Sequence, residues 1–203
     1  MVLGQQINRA IVVGRGPSVN GSLLSTWIDS DGCTVVRMSN GLYGRDHGVK
    51  TDILVVTCNE IVTLKRGRVP QTVWFYRTRG RGPALSENEW LEYDPVIRRA
   101  TGDDVSVVHI NRIIEPWLEE YRRTARPLNQ KHHPHVTYPS KGTAAALATM
   151  ALLKPRSIYL LGMDNVVKGE RIYHCHDFNA ERAVLELASD RLNVSVAALM
   201  PPW

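Results

Sequence analysis

Two histidines and a cysteine fall within three positions at His174-Cys175-His176, directly ahead of the helical pattern "DFNAERAVLELA". Such side chains serve as zinc ligands or as proton carriers. The three cysteines, Cys33, Cys58 and Cys175, are scattered and match no zinc spacing. A helix opening near Asp177 to Asn179, with Glu181 in its first turn and its end before Asn193, sets His176 just ahead of the helix N-terminus. The positive end of the helix dipole favours a neutral imidazole there, able to accept a proton. A surface histidine at a helix entry is the other reading.

Five further stretches could meet a ligand. Gly14-Arg15-Gly16-Pro17-Ser18 allows a tight turn and close backbone approach, and Pro17 suits the start of a helix whose free N–H groups attract phosphate. The third glycine of a dinucleotide fingerprint and a Walker lysine are both missing, which argues against NAD and P-loop chemistry. Asn40, after Ser39, and Asn59 stand at the ends of two strand-like runs, each able to donate and accept. Ser140-Lys141-Gly142-Thr143 heads an alanine-rich helical run, where hydroxyls, N–H groups and an ammonium suit a carboxylate or phosphate. Simple capping explains the hydroxyls equally well. Gly162 and Asp164 close "IYLLGMD", an aspartate placed to receive ligand hydroxyls or to brace a loop.

The elements that must position these residues alternate along the chain. Strands are expected at 10–14, 33–39, 52–57, 72–76, 105–110, 157–163 and 194–199, and helices at about 18–29, 86–99, 111–124, 142–153 and 178–191. Continuously apolar strands point to parallel pairing covered on both faces. Strand–helix repetition predicts an α/β, doubly wound, mostly parallel sheet in three layers, α/β/α, in one domain spanning 1–203. Ligands of such sheets bind beyond the carboxyl ends of the strands. A polar loop at about 125–137 is expected over that face.

The bulk numbers agree with a globular chain: 203 residues, 43% hydrophobic, 22% charged. No apolar run approaches the ~20 residues of a membrane span. The start lacks a secretion signal, and unpaired cysteines suggest a reduced, cytoplasmic setting. A net charge of +5 favours anionic ligands. Arginines gather in "YRTRGRGP" and "EEYRRTARP", two basic surfaces.

In order and spacing, "IVVGRGPSV", "VVRMSNGLYG", "ILVVTCN", "YPSKGTAAALATMALLKPRSIYLLGMD" and "HCHDFNAERAVLELA" resemble the sialyltransferases, above all the compact bacterial enzymes with one Rossmann-like domain. Residues 64–135 do not align. The resemblance implies a GT-A-like sialyltransferase variant of the Rossmann-like fold. It implies that Gly14, Gly16, Ser18, Asn40 and Asn59 face the nucleotide of a CMP-sugar, with Arg15 in place of the family's asparagine. Ser140, Lys141 and Gly142 take the position of the loop that holds the donor's carboxylate, and Gly162 and Asp164 border the cytidine pocket. His176, ten residues before the matched Glu186, takes the place of the catalytic base; His174 matches nothing functional. Val166 and Ile172 stand where two phosphate-holding tyrosines are usual, and Tyr173 is the substitute for the second. The connection from Gly169 to His176 is short for a lid.

The implied reaction is inverting transfer of sialic acid from CMP-sialic acid to an acceptor hydroxyl, with no cofactor and no metal. The implied partners are a nucleotide-sugar donor and a glycan acceptor; nucleic acid is not expected, and a homo-oligomer is left open. Two other readings stand beside this one. One is a nucleotide-binding, pyrophosphokinase-like protein, and the other a basic nucleotide or nucleic-acid binder without transferase activity.

Overall fold

The computed structural model describes residues 7–14, 16, 20–39, 43–57, 60, 70–77, 95–96, 98–100, 102, 104–125, 138–163 and 176–198. Among these, seven strands form one sheet: β1 Arg9–Val13, β2 Cys33–Met38, β3 Ile53–Val56, β4 Thr72–Phe75, β5 Ser106–His109, β6 Ser157–Leu161 and β7 Ser195–Ala198. Their spatial order is β5-β4-β3-β2-β1-β6-β7, and every neighbouring pair is parallel. Each expected strand is present. Runs such as "AIVV" and "ILVV" are β-branched and buried at consecutive positions, as a strand covered on both faces requires.

Alternation along the strands feeds two apolar layers. Ile11, Val13, Val35 and Leu161 pack on one face with Ile28 of the short helix α1, Ser25–Ile28. Val12, Val36, Val55, Ile158 and Leu160 face the opposite layer. That layer holds α2 (Ile110–Ile113), α3 (Glu115–Thr124), α4 (Lys141–Ala148) and α5 (Phe178–Leu192). The fold is α/β and Rossmann-like. The chain runs outward from β1 to β5, then returns to lay β6 on the other edge of β1. β1 and β6 therefore flank the topological switch point, where such sheets bind ligands beyond their carboxyl ends.

Helix boundaries depart from expectation in three places. α1 begins at Ser25, not near 18, because Gly21 and Leu23 are left-handed, with φ of 76° and 55°. The Asp46 carboxylate holds that turn by accepting their N–H groups at 2.9 and 3.1 Å. Residues 20–24 are therefore not helical, and Pro17 and Ser18, on which the phosphate-on-helix reading falls, lie outside the described residues. The helix expected at 111–124 is two helices with Ile114 between them. Pro116 has no N–H to donate back along a continuous helix. The run expected at 142–153 is α4 followed by a π-turn at Thr149–Leu153, where Thr149 Oγ1 donates to Ala145 O at 2.7 Å. Of the helix expected at 86–99, residues 95–96 and 98–99 are described, and these are helical. The polar loop expected at 125–137 lies, apart from Ala125, outside the described residues.

Residues 43–51 connect β2 towards β3 as turns closed by a Gly44–Gly48 bridge. Arg37, fully buried on β2, pins them by donating to His47 O and Lys50 O, each at 2.9 Å. From α1's end, Asp29 accepts the N–H groups of Val49 and Lys50.

Candidate active site

Two helix N-termini meet on one buried carboxylate. Ser140 caps α4, its Oγ accepting Thr143 N–H, and Asp177 caps α5, its Oδ1 accepting Ala180 N–H at 3.2 Å. Glu181, one turn into α5 and fully buried, spans the gap between them. Its Oε1 accepts Ser140 N–H at 2.8 Å, and its Oε2 accepts the hydroxyls of Ser140 at 2.6 Å and Thr143 at 2.5 Å. A buried carboxylate is tolerable only with such a set of donors. Two buried tyrosines brace the same hub. Tyr76, just beyond β4, donates to Pro139 O at 2.8 Å, and Tyr121 of α3 accepts Asp177 N–H at 3.4 Å. Burial, and then the nearby Glu181 charge, push the Tyr76 phenol well up, so it stays a donor.

His176 enters this hub from just ahead of α5. Its side chain is 24% exposed, and its Nδ1 lies 3.4 Å from Glu181 Oε1. That nitrogen is buried and makes no hydrogen bond among the described residues; the carboxylate is near enough for an ion pair but outside hydrogen-bond geometry. The imidazole is tilted against the Phe178 ring, with centroids 5.8 Å apart. A histidine with a carboxylate at one ring nitrogen has the layout of an oriented general base, the other nitrogen serving as acceptor.

On the far side of α4's head, Lys141 Nζ meets Glu60 Oε1 at 2.5 Å and Ser39 Oγ at 3.2 Å. Glu60 is held in turn by Thr57, whose N–H and Oγ1 both donate to Oε2 at 2.9 Å. Burial pushes the Glu60 carboxyl up, but the Lys141 charge and the hydrogen bonds from Lys141, Ser39 and Thr57 together outweigh it and leave Glu60 below the usual carboxylate range. Lys141 is therefore charge-compensated within the chain.

Gly14 and Gly16 donate their N–H groups to Leu161 O and Gly162 O, both at 2.7 Å, which joins the exits of β1 and β6. A Cβ on Gly14 would lie 2.3 Å from Gly162 O, so only glycine fits. Gly162 is left-handed, with φ 61°. Gly142 brings α4 onto the same region, since a Cβ there would meet Met163 Cε at 3.1 Å and Met38 Cε at 3.4 Å.

The expected residues Gly14, Gly16, Gly162, Ser140, Lys141, Gly142 and His176 thus gather along the carboxyl ends of β1, β2, β3 and β6. Arg15, Ser18, Asn40, Asn59, Asp164 and Tyr173 lie outside the described residues. Glu186, matched in sequence to the base's surroundings, is 62% exposed and pairs with Arg182 at 2.9 Å; the carboxylate beside His176 is Glu181. Sequence reading missed Glu60, Tyr76 and Tyr121 and took Glu181 for a helix-start residue. Glu181 carried a signal, since a fully apolar partner would be usual at that inward position of α5.

With that geometry in place, comparison with known proteins defines the fold: it is that of bacterial sialyltransferases. No family model matches the chain, and no curated protein matches it. Among solved structures, the chain is similar to the sialyltransferase CstII from Campylobacter jejuni in complex with cytidine-5'-monophosphate. The TM-score is 0.58 and the identity 13%, over 98% of this chain and 82% of that one. CST-II in complex with a trisaccharide acceptor and CMP gives 0.56 and 12%, over 96% and 82%. The monofunctional α-2,3-sialyltransferase Cst-I from Campylobacter jejuni gives 0.57 and 14%, over 98% and 78%. Among the described residues no helix is long and apolar enough to cross a membrane.

Proposed function

We propose that the protein is a sialyltransferase-like glycosyltransferase moving sialic acid, or a related acidic sugar, from a CMP-activated donor to an acceptor hydroxyl with inversion. The observation that carries this reading is the placement of His176. It stands just ahead of α5, its buried Nδ1 3.4 Å from the Glu181 carboxylate that also accepts the Ser140 N–H at the head of α4, on a fold shared with enzymes of that class.

In the proposed reaction the glycosidic carbon–oxygen bond to CMP breaks, and its electron pair leaves on the phosphate. The acceptor oxygen attacks the opposite face of the oxocarbenium-like carbon and gives its proton to His176 Nε2. The Glu181 carboxylate, 3.4 Å from Nδ1, stabilises the imidazolium that forms. Such a base contributes typically ~10²–10⁴-fold in rate. Gly14, Gly16 and Gly162 line the nucleotide's path at the switch point. Arg15, Ser18, Asn40, Asn59, Asp164 and Tyr173 supply its remaining contacts, and Ser140, Lys141 and Gly142 face the donor sugar. No metal takes part. The acceptor is a glycan.

Thermal-shift titration against CMP, CDP, UDP, ADP and ATP, each with and without Mg²⁺, tests the donor. Stabilisation by CMP without metal is expected; a protein indifferent to every cytidine nucleotide would sink the reading.

A further inference from the structure

A lysine at the first position of a helix stands at the wrong end of the dipole, where anions are favoured. Lys141 occupies that position in α4, and its side chain is only 12% exposed. A cation so placed needs an anion beside it. Glu60 supplies one at 2.5 Å, and Ser39 Oγ accepts a further hydrogen bond at 3.2 Å. Glu60 is not a loose surface group. Its Oε2 is fixed by two donors from Thr57, and its own N–H returns to Thr57 O at 2.9 Å. The chain thus seats a rigid carboxylate of its own on the ammonium at the head of α4.

Under the donor reading above, on which this inference rests, the same helix head receives the carboxylate of the acidic sugar. A second carboxylate there meets an ammonium that is already neutralised and a fixed negative charge a few ångströms away. We infer that Glu60 is a specificity-determining residue that competes with the ligand's anionic group for Lys141. The pair weakens recognition of the acid function and narrows the gap between acidic and neutral sugars. A Glu60 that merely shaped the loop, or that contacted ligand hydroxyls directly, would act in the opposite direction when neutralised.

The experiment measures binding of N-acetylneuraminate and of its uncharged methyl ester to the full chain by calorimetry. The proteins compared are wild type, Glu60→Gln, Glu60→Ala and Lys141→Ala. Glu60→Gln should tighten the acid on the order of tenfold, the size expected for removing one partly buried charge nearby, and leave the ester unchanged. Lys141→Ala should lose the acid's advantage over the ester. Should glutamine disturb the Thr57 turn, seen as a lowered melting temperature, the alanine variant carries the same test. Weaker or unchanged acid binding in the neutralised variants, or acid and ester tightening alike, overturns the inference. CMP is titrated separately. A chain that ignores CMP defeats the transferase reading, whereas CMP binding without a gain from Glu60→Gln defeats this inference alone.

Discussion

Ser140 and His176 are coupled through a single carboxylate. Glu181 Oε1 accepts the Ser140 N–H at 2.8 Å and lies 3.4 Å from His176 Nδ1. Ser140 opens α4 and His176 precedes α5, so the two helix heads cannot shift independently. The residue proposed to move the proton and the loop proposed to hold the donor sugar therefore share one register.

Glu181→Ala removes a buried acceptor of three hydrogen bonds and strands its donors. A loss of about 3 kcal/mol is expected, seen as a melting temperature lower by roughly 6–12 °C. Glu186→Ala, five residues along the same helix, removes only an exposed pair with Arg182 and should cost less than about 0.5 kcal/mol. Equal effects in parallel melts would dislodge Glu181 from the centre of the site.

His176→Ala leaves the nucleotide's contacts intact. Transfer to the acceptor should fall by about 10²–10⁴-fold while the CMP-induced thermal shift is kept. In Glu181→Gln the histidine remains but loses its anionic partner, so transfer should fall while the CMP-induced shift is kept. Unaltered transfer would separate Glu181 from the proton transfer.

Gly14→Ala forces a Cβ to within 2.3 Å of a backbone oxygen that has nowhere to go. About 3 kcal/mol of destabilisation, read as a lower urea midpoint, is expected. Gly32→Ala is the control. Its Cβ would meet only the end of the Arg9 side chain, at 2.9 Å, which can swing away. A Gly14 variant as stable as the Gly32 variant would contradict the close β1–β6 approach.

Glu60 titrates below the ordinary carboxylate range: burial pushes it up, but the Lys141 charge and the hydrogen bonds from Lys141, Ser39 and Thr57 together outweigh that push. Its contribution to stability is therefore present above about pH 4.3, the ordinary value for glutamate, and is lost as pH falls through the lower folded value. The stability difference between wild type and Glu60→Gln should be full at neutral pH and shrink in strongly acidic buffer. A difference that grows on acidification would reverse the assignment.

The sheet was legible in the sequence because parallel strands buried on both faces must be continuously apolar, and runs such as "AIVVG" and "DILVVT" serve no other purpose well. Both functional helix heads were legible as well, since Ser140 and Asp177 are local caps whose partners lie three residues on. The start of α1 was hidden because Asp46, 25 residues from Gly21, dictates it. The break at Ile114 carried a local signal in Pro116, which the helix expected at 111–124 ran through. The hub carboxylates were hidden for the same reason as α1: Glu181 reaches Ser140 across 41 positions, and Lys141 reaches Glu60 across 81. Spacing arguments find groups that act along the chain, and these act across it.

The position of β1 bears on how the protein is made. β1 precedes the other described strands in the chain and lies inside the finished sheet, between β2 and β6. Its β2 side can be satisfied once residues 33–38 follow, but its other side waits for residues 157–161. Throughout most of synthesis β1 therefore presents an open, apolar strand edge, the form of surface most prone to pairing with another chain. The strand order itself thus leaves that edge uncovered until the β6 segment is made.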